Sequence, residues 1–403
     1  MNKRFTKSEI LFLLALAFWL TMAVISRTYI KDLFDYQSIR EIAYTIAWIL
    51  LAAKLVADDS FGKKGLLAAI LAVLVYFIMK QTDSDKMLLP VMLVLSARNV
   101  RCESIFHVFF AVQLPIMICS ILLSLTGVIE NELWEEAERM RYSLGYTYCT
   151  YGSHIFLFLT LAYMALRKKI TIIEALILLG LNFLFYTQTL TKTDLLLFVP
   201  AITGCYLIGR LHLGVSDARW SRGLLMAAGP VLAGIAITVQ YVYDETNYFW
   251  HTADTFLRGR ISLGHQGLAD YGITLFGQKI KWVGASGNRL HPDWVYNYVD
   301  CSYLKYLLNY GLIFFILLML AIVLLGKWVA DTRNPGMVIA YLIWLAFGMI
   351  DAELFELAFQ PFMLLLAKPL VEMTSALFTA PHTISQSRRR NAPALLSENS
   401  YRL

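Results

Sequence analysis

Tyr306-Leu-Leu-Asn-Tyr-Gly-Leu-Ile-Phe-Phe-Ile-Leu-Leu-Met-Leu-Ala-Ile-Val-Leu-Leu325 contains no charged side chain from end to end. Roughly 20 apolar residues in a helix cross the ~30 Å hydrocarbon layer of a bilayer, so this stretch reads as a membrane-spanning helix. Immediately before it lies the opposite kind of sequence. Between Tyr241 and Tyr303 a long polar loop holds Arg258, Arg260, His265, Asp293 and Asp300. Composition extends the membrane reading to the whole chain: 58% of residues are hydrophobic, 16% are charged, and the mean hydropathy is +0.58, well beyond soluble globular chains.

Apolar stretches of similar length recur from the amino terminus onward, parted by short charged connectors. Clear spans run from Leu11 to Ser26, Ile42 to Leu55, Leu66 to Met79, Phe106 to Ile129, Ile155 to Leu166, Ile172 to Tyr186, Leu195 to Ile208 and Leu224 to Val242. Tyr306 to Leu325, Met337 to Ile350 and Leu357 to Leu370 complete the set. Met87 to Ser96 is short and carries Pro90, but an even number of crossings needs it. The expected fold is an all-α polytopic membrane protein of about twelve transmembrane helices. Residues 1–376 form the membrane domain, which includes a large extracytoplasmic loop at 242–303 before the tenth span. Residues 377–403 form a Ser/Arg/Asn-rich disordered cytoplasmic tail.

Charge orients the bundle. With Lys3, Arg4 and Lys7 in the cytoplasm, the inner connectors hold Lys54, Lys63 and Lys64, then Arg98 and Arg101, then Arg167, Lys168 and Lys169. Further along they hold Arg210, Arg219, Arg222, Lys327 and Arg333, and the tail with Arg388, Arg389 and Arg390 also falls inside. The first apolar stretch has no small-residue cleavage site and reads as a retained anchor. The net charge of +6 sits in these connectors and gives no reason to expect nucleic acid. Cys102, Cys119, Cys149, Cys205 and Cys301 show no metal spacing. Cys149 and Cys301 read as two free thiols, with an external disulfide as the alternative.

The outer connectors break the rule that makes the inner ones basic. They carry Arg139, Arg141, Lys192, Arg258, Arg260, Lys279, Lys281 and Arg289. Individual cations can snorkel to headgroups or pair with Glu135, Glu136 and Asp254, yet eight together imply an external anion. Four segments stand out. Arg141-Tyr-Ser-Leu-Gly-Tyr146 follows an acidic amphipathic stretch, Asn131 to Met140. Tyr186 to Asp194 gathers hydroxyls around Lys192, with Thr187 and Thr189 reading as helix-end caps. In Phe256 to Gly277, Leu257, Ile261, Gly264, Leu268 and Tyr271 recur at helical spacing, which predicts a short amphipathic helix near the outer interface, ended by Gly272. Arg260 shares its side with Leu257 and Gly264 and so leans toward the protein, where it needs an anion. Last, Asp300 and Tyr303 stand at the mouth of the next span, Asp300 as a base, a partner for a cation, or a simple N-cap.

In this order the segments resemble the bacterial exopolysaccharide, capsule and O-antigen polymerases of the Wzy class, within the O-antigen ligase-like superfamily. The matching pieces are Arg-x-Ser-x-Gly at Arg141, the Thr191-Lys192 turn, Gly-Arg-Ile at Arg260, Leu-Phe-Gly at Gly277, and Val-Asp-x-x-Tyr at Asp300 ahead of Tyr-Gly at Gly311. The resemblance implies a GT-C-like glycosyltransferase of the cytoplasmic membrane, both termini inside, acting without metal or cofactor. It joins undecaprenyl-diphosphate-linked oligosaccharides, which serve as donor and acceptor. A flippase and a chain-length regulator of the same pathway are candidate partners.

Arg141 and Arg260 would hold the diphosphate, Asp300 would act on the acceptor hydroxyl, and Tyr303 would position a sugar. Lys192 stands where many relatives have Arg, which keeps the charge and loses the bidentate fork. Arg258, His265 and Gly277 complete the expected substrate-binding set. Asp300-Cys301 stands where ligases have a His-Asn pair, which favours polymerase over ligase. Asp351, Glu353 and Glu356 read first as a solvated turn, with lining of the glycan path as the alternative. Few charges fall inside spans, Glu174 near the inner face and Asp194 near the outer, and no repeat relates the halves; both count against a flippase.

Overall fold

A computed structural model describes residues 5–58, 63–136, 139–211, 219–291 and 293–369. The boundary expected at 376 and the tail beyond it lie outside the described residues. The chain is an all-α membrane protein, 74% helical. Its helices are α1 (Lys7–Ile25), α2 (Tyr36–Ala57), α3 (Lys63–Gln81), α4 (Leu88–Ser96), α5 (Cys102–Leu125), α6 (Tyr151–Arg167), α7 (Ile172–Thr189), α8 (Lys192–Arg210), α9 (Arg219–Tyr241), α10 (Tyr248–Phe256), α11 (Arg260–Tyr271), α12 (Ala285–Leu290), α13 (Ser302–Thr332) and α14 (Pro335–Ile350). Six of them, α1, α5, α7, α8, α9 and α13, are long and apolar enough to cross a membrane. Their outer faces suit lipid: on α7, Ile173 is 68% exposed and Leu184 62%.

Side-chain contacts define two ends of the bundle. At one, Arg101 before α5 donates from Nε to Glu9 of α1 at 2.8 Å, while Ser8 and Lys54 of α2 both bond Asp58. At the other, the α1 end meets the start of α6 through Arg27 and Tyr151, and the starts of α6 and α8 meet through His154 and Asp194. Helices α9 and α13 pack closely through small residues. Tyr341 of α14 bridges them, donating to Leu225 O and Ile322 O at 3.3 and 3.1 Å, and a side chain on Gly326 would run into the Leu225 carbonyl.

The acidic stretch 131–140 supplies strand β1 (Leu133–Glu136), antiparallel to β2 (Arg139–Tyr142), with Trp134 opposite Arg141. Two expectations change. The amphipathic helix expected from Leu257 to Tyr271 begins at Arg260, because Arg258 and Gly259 take positive φ and break it from α10.

Over its described residues 357–367 the last apolar stretch, expected from Leu357 to Leu370, is not an α-helix. From Asp351 the chain runs in turns to a 3₁₀ segment, Phe362–Ala367, and Lys368 bonds Val100 O at the far end. Irregular backbone at membrane depth survives only inside protein with its polar groups met. Here Gln113 donates to Ala358 O and Phe359 O at 2.8 and 3.2 Å, and Trp344 and Gln360 donate to Leu354 O at 3.3 and 2.9 Å.

Helix α13 is broken once. Gly311 takes φ +82°, and Leu312 and Ile313, on the far side of the break, donate their amides to Thr274 O and Leu275 O at 2.8 and 3.1 Å. Gly277, φ +86°, lies against Asn309 O in the same contact, so it serves packing. A Cβ at Gly311 would stand 2.7 Å from Leu275 O in a left-handed backbone that L residues avoid. Gly311→Ala is expected to destabilise the protein by at least about 2 kcal/mol, read as a lowered melting temperature in lipid nanodiscs.

Candidate functional site

The end of the bundle that receives the polar loop gathers charge from helix termini. His154 lies in the first turn of α6, Asp194 in the first turn of α8, Lys305 in the first turn of α13, and Asp351 directly follows α14. Arg27 follows α1 and Arg260 opens α11. Placing ionisable groups in terminal turns keeps them near the bilayer edge, where the cost of a charge is far lower than at mid-membrane.

His154 is the centre, 1% exposed. Its Nδ1 stands 2.9 Å from Asp194 Oδ2 and its Nε2 stands 3.3 Å from Asp351 Oδ2, while Phe347 and Phe359 meet the ring edge-on. A carboxylate at each ring nitrogen is satisfied when both nitrogens carry protons and donate. Asp351 is fixed in turn, because its carbonyl accepts from the Ser302 amide at 3.1 Å and the Ser302 hydroxyl at 2.6 Å.

Arg260 is the second node. It donates from Nε to Asp300 Oδ2 at 3.1 Å and from Nη1 to Ile350 O at 2.5 Å. One guanidinium therefore ties α11 to the loop before α13 and to the end of α14. A third group lies beside these. Arg27 pairs with Glu356 at 3.0 Å and covers the Tyr151 and Phe359 rings, while Lys305 donates to the Tyr298 hydroxyl at 2.6 Å, which reaches Glu353 at 3.4 Å. Burial, with the carboxylates of Glu353, Asp300 and Asp351 close by, pushes the Tyr298 phenol well above its usual range and keeps it a donor. Arg27, Arg260, Asp300 and Glu356 each keep about a quarter of the side chain exposed, so the cluster opens to the surface.

Burial pushes the Asp300 carboxyl from its ordinary 3.8 up to about 6, against the pull of Arg260 and with a further push from Asp351. A native value raised above the unfolded one means the folded state binds the proton more tightly. The stability this contributes is fully present below about pH 4 and is lost as pH rises through about 6. Wild type minus Asp300→Asn is expected to show a melting-temperature difference that moves against wild type across that window and stays flat above it. A difference that is constant from pH 4 to pH 7 contradicts the assignment.

Of the residues expected from the sequence, Arg260 and Asp300 come together in this cluster. Arg141 is linked to it through a chain of hydrogen bonds: buried on β2, it donates from Nε to Thr189 O at 2.8 Å, and the Thr189 hydroxyl lies 3.0 Å from that of Ser153, next to His154. Lys192 is exposed at the start of α8, and Arg258 is exposed at the turn between α10 and α11. His265 is half-buried with Nδ1 at Gln240 O, 3.0 Å away, which ties α11 to α9.

Tyr303, expected to position a sugar, is a core residue. It is fully buried, with its hydroxyl donating to Leu345 O at 2.7 Å. Asp351, Glu353 and Glu356 are no solvated turn but partners of His154, Tyr298 and Arg27. Cys149 and Cys301 are both buried, and no disulfide joins them.

His154, Lys305 and Arg27 escape a reading confined to the outer connectors. Their signal is a charge-bearing residue at the edge of an apolar run, as Lys305 stands one turn into a span that carries no other charge before Lys327. The fold and this cluster define an all-α membrane protein with a buried network of ionisable groups at one end of its helices. No family model, curated protein or solved structure matches the chain.

Proposed function

We propose that this protein is a polysaccharide polymerase of the Wzy class, a GT-C-like glycosyltransferase joining undecaprenyl-diphosphate-linked repeat units at the outer face of a bacterial cytoplasmic membrane. The observation that carries the reading is Arg260 beside Asp300 in a charged cluster at one common end of the helices. In the proposed topology eleven helical crossings, α1 to α9, α13 and α14, are followed by the irregular segment 351–368 as the twelfth. The end bearing Lys54, Arg98, Arg101, Arg167 and Arg210 is cytoplasmic, as the distribution of basic residues favours, and residues 242–301 lie outside.

The proposed chemistry is a glycosyl transfer. The acceptor hydroxyl oxygen forms a bond to the anomeric carbon of the donor as the bond from that carbon to the diphosphate oxygen breaks. The hydroxyl proton passes to Asp300, whose raised affinity for protons makes it a better base than an ordinary carboxylate. As Asp300 is neutralised, Arg260 exchanges it for the departing diphosphate, stabilising charge where it develops. Arg27 and Lys305 supply further fixed cations, and Tyr298 replaces Tyr303 as the phenol facing the sugar.

A second reading has one observation behind it. A fully buried His154 between two carboxylates is the kind of group that moves protons in a transporter, which favours a polysaccharide flippase. Deleting the gene in its host and sizing lipid-linked and surface glycans separates the readings. Loss of long polymer with single repeat units still displayed outside supports the polymerase. Repeat units trapped inside support the flippase, and polymer retained on its lipid carrier supports a ligase that moves finished glycan to an acceptor.

A further inference from the structure

Helix α10 is amphipathic in an unusual direction. Its one carboxylate, Asp254, is buried toward the protein, while Tyr248, Phe249 and Phe256, on one side of the helix, are 85%, 67% and 83% exposed. Shortly before them in the chain lies an apolar stripe. Leu224, Val231, Ile235 and Val242, exposed at helical spacing along α9 and just past its end, run up the outside of the bundle and finish six residues before Tyr248. A stripe along a helix long and apolar enough to span a membrane faces lipid, and aromatic side chains at its upper end fall where the acyl chains give way to headgroups.

Asp254 joins this helix to the charged cluster. Its Oδ1 accepts the amides of Ile261 and Ser262 at 2.8 and 3.0 Å. The N-cap of α11 is Gly259, which has no side chain to do this, so the preceding helix supplies the cap. The first residue beyond that cap is Arg260.

We infer that α10 is an interfacial anchor whose aromatic face sits in the lipid–water boundary beside the cluster, and that through Asp254 it holds the start of α11 and therefore the Arg260 guanidinium in place. The occupant of the face is phospholipid. A sugar-stacking platform is the competing use of such rings, and it would leave them in water. The inference needs only a membrane protein and holds whatever reaction the cluster performs.

The test uses the full chain in nanodiscs of phosphatidylethanolamine and phosphatidylglycerol, with Cys119→Ser to remove the exposed native thiol. Phe249→Cys, Phe256→Cys and, as a control on another side of α10, His251→Cys each carry a nitrobenzoxadiazole label. Labels at 249 and 256 are expected to be quenched by lipid doxylated near the headgroup and shielded from aqueous iodide, with the reverse at 251. Iodide quenching at all three positions overturns the inference, and so does lipid quenching at all three.

The coupling has its own readout. In Phe249→Ser/Phe256→Ser, hydrogen exchange of the α11 amides is expected to quicken by about tenfold or more, while α13 is unchanged. Unchanged exchange in α11 overturns the link to Arg260 even if the anchor itself is found.

Discussion

Arg260→Ala is expected to abolish long polymer, with a loss in turnover of at least about 100-fold, while the protein is still made and inserted. The size of the effect follows from what the guanidinium does. It touches both the loop bearing Asp300 and the end of α14, at Asp300 Oδ2 and Ile350 O. In the proposed reaction it is also the donor that meets negative charge as the glycosidic bond breaks. Removing one fixed donor of that kind from a poorly hydrated site costs about 2.7–4 kcal/mol of transition-state stabilisation. Arg260→Lys keeps the charge but cannot make two hydrogen bonds in the same planar fork, so it recovers only part of the loss. In-membrane assays with purified lipid-linked repeat units, read as ladder length on gels, provide the measure. Polymer of wild-type length and rate from Arg260→Ala would remove the polymerase reading, and with it the role given to Asp300.

Arg260 is legible in the sequence because its spacing to the buried Gly264 puts it on the inward side of a helix and demands an anion, although Leu257, read onto the same side, lies before the break that opens α11. The apolar spans are legible for the same reason at larger scale, since hydropathy measures what lipid tolerates. The pairing of β1 with β2 and the course from Asp351 through turns to the 3₁₀ segment are not, because local composition fixes neither backbone shape nor partner. An apolar run predicts burial, but a buried run becomes irregular only when distant groups such as Gln113 and Trp344 take over its hydrogen bonds. Tyr303 fails for a related reason. Its place at the mouth of a span says how high it stands in the membrane, not whether it faces the cluster or the core. Glu353 and Glu356 show the converse error, since a carboxylate reads as solvated until the cation from a remote helix is known.

His154 is the residue least visible from the sequence, because its two carboxylates come from α8 and from the end of α14. His154→Ala is expected to cost about 3–5 kcal/mol of stability, the range for removing one partner from a buried ionic network. Two carboxylates then face an empty volume behind Phe347 and Phe359, and the Asp351 turn that presents Ile350 O to Arg260 loses one anchor and keeps the Ser302 bonds. Shape and charge can be separated. If the loss is mainly one of unpaired charge, Asp194→Asn in the His154→Ala background restores part of the stability, although Asp194→Asn alone is itself destabilising. The interaction term of that double-mutant cycle, taken from melting in nanodiscs, is expected to be at least about 1 kcal/mol. Strictly additive losses would mean that His154 and Asp194 pack side by side without holding one another, and His154 would then be tied to the cluster through Asp351.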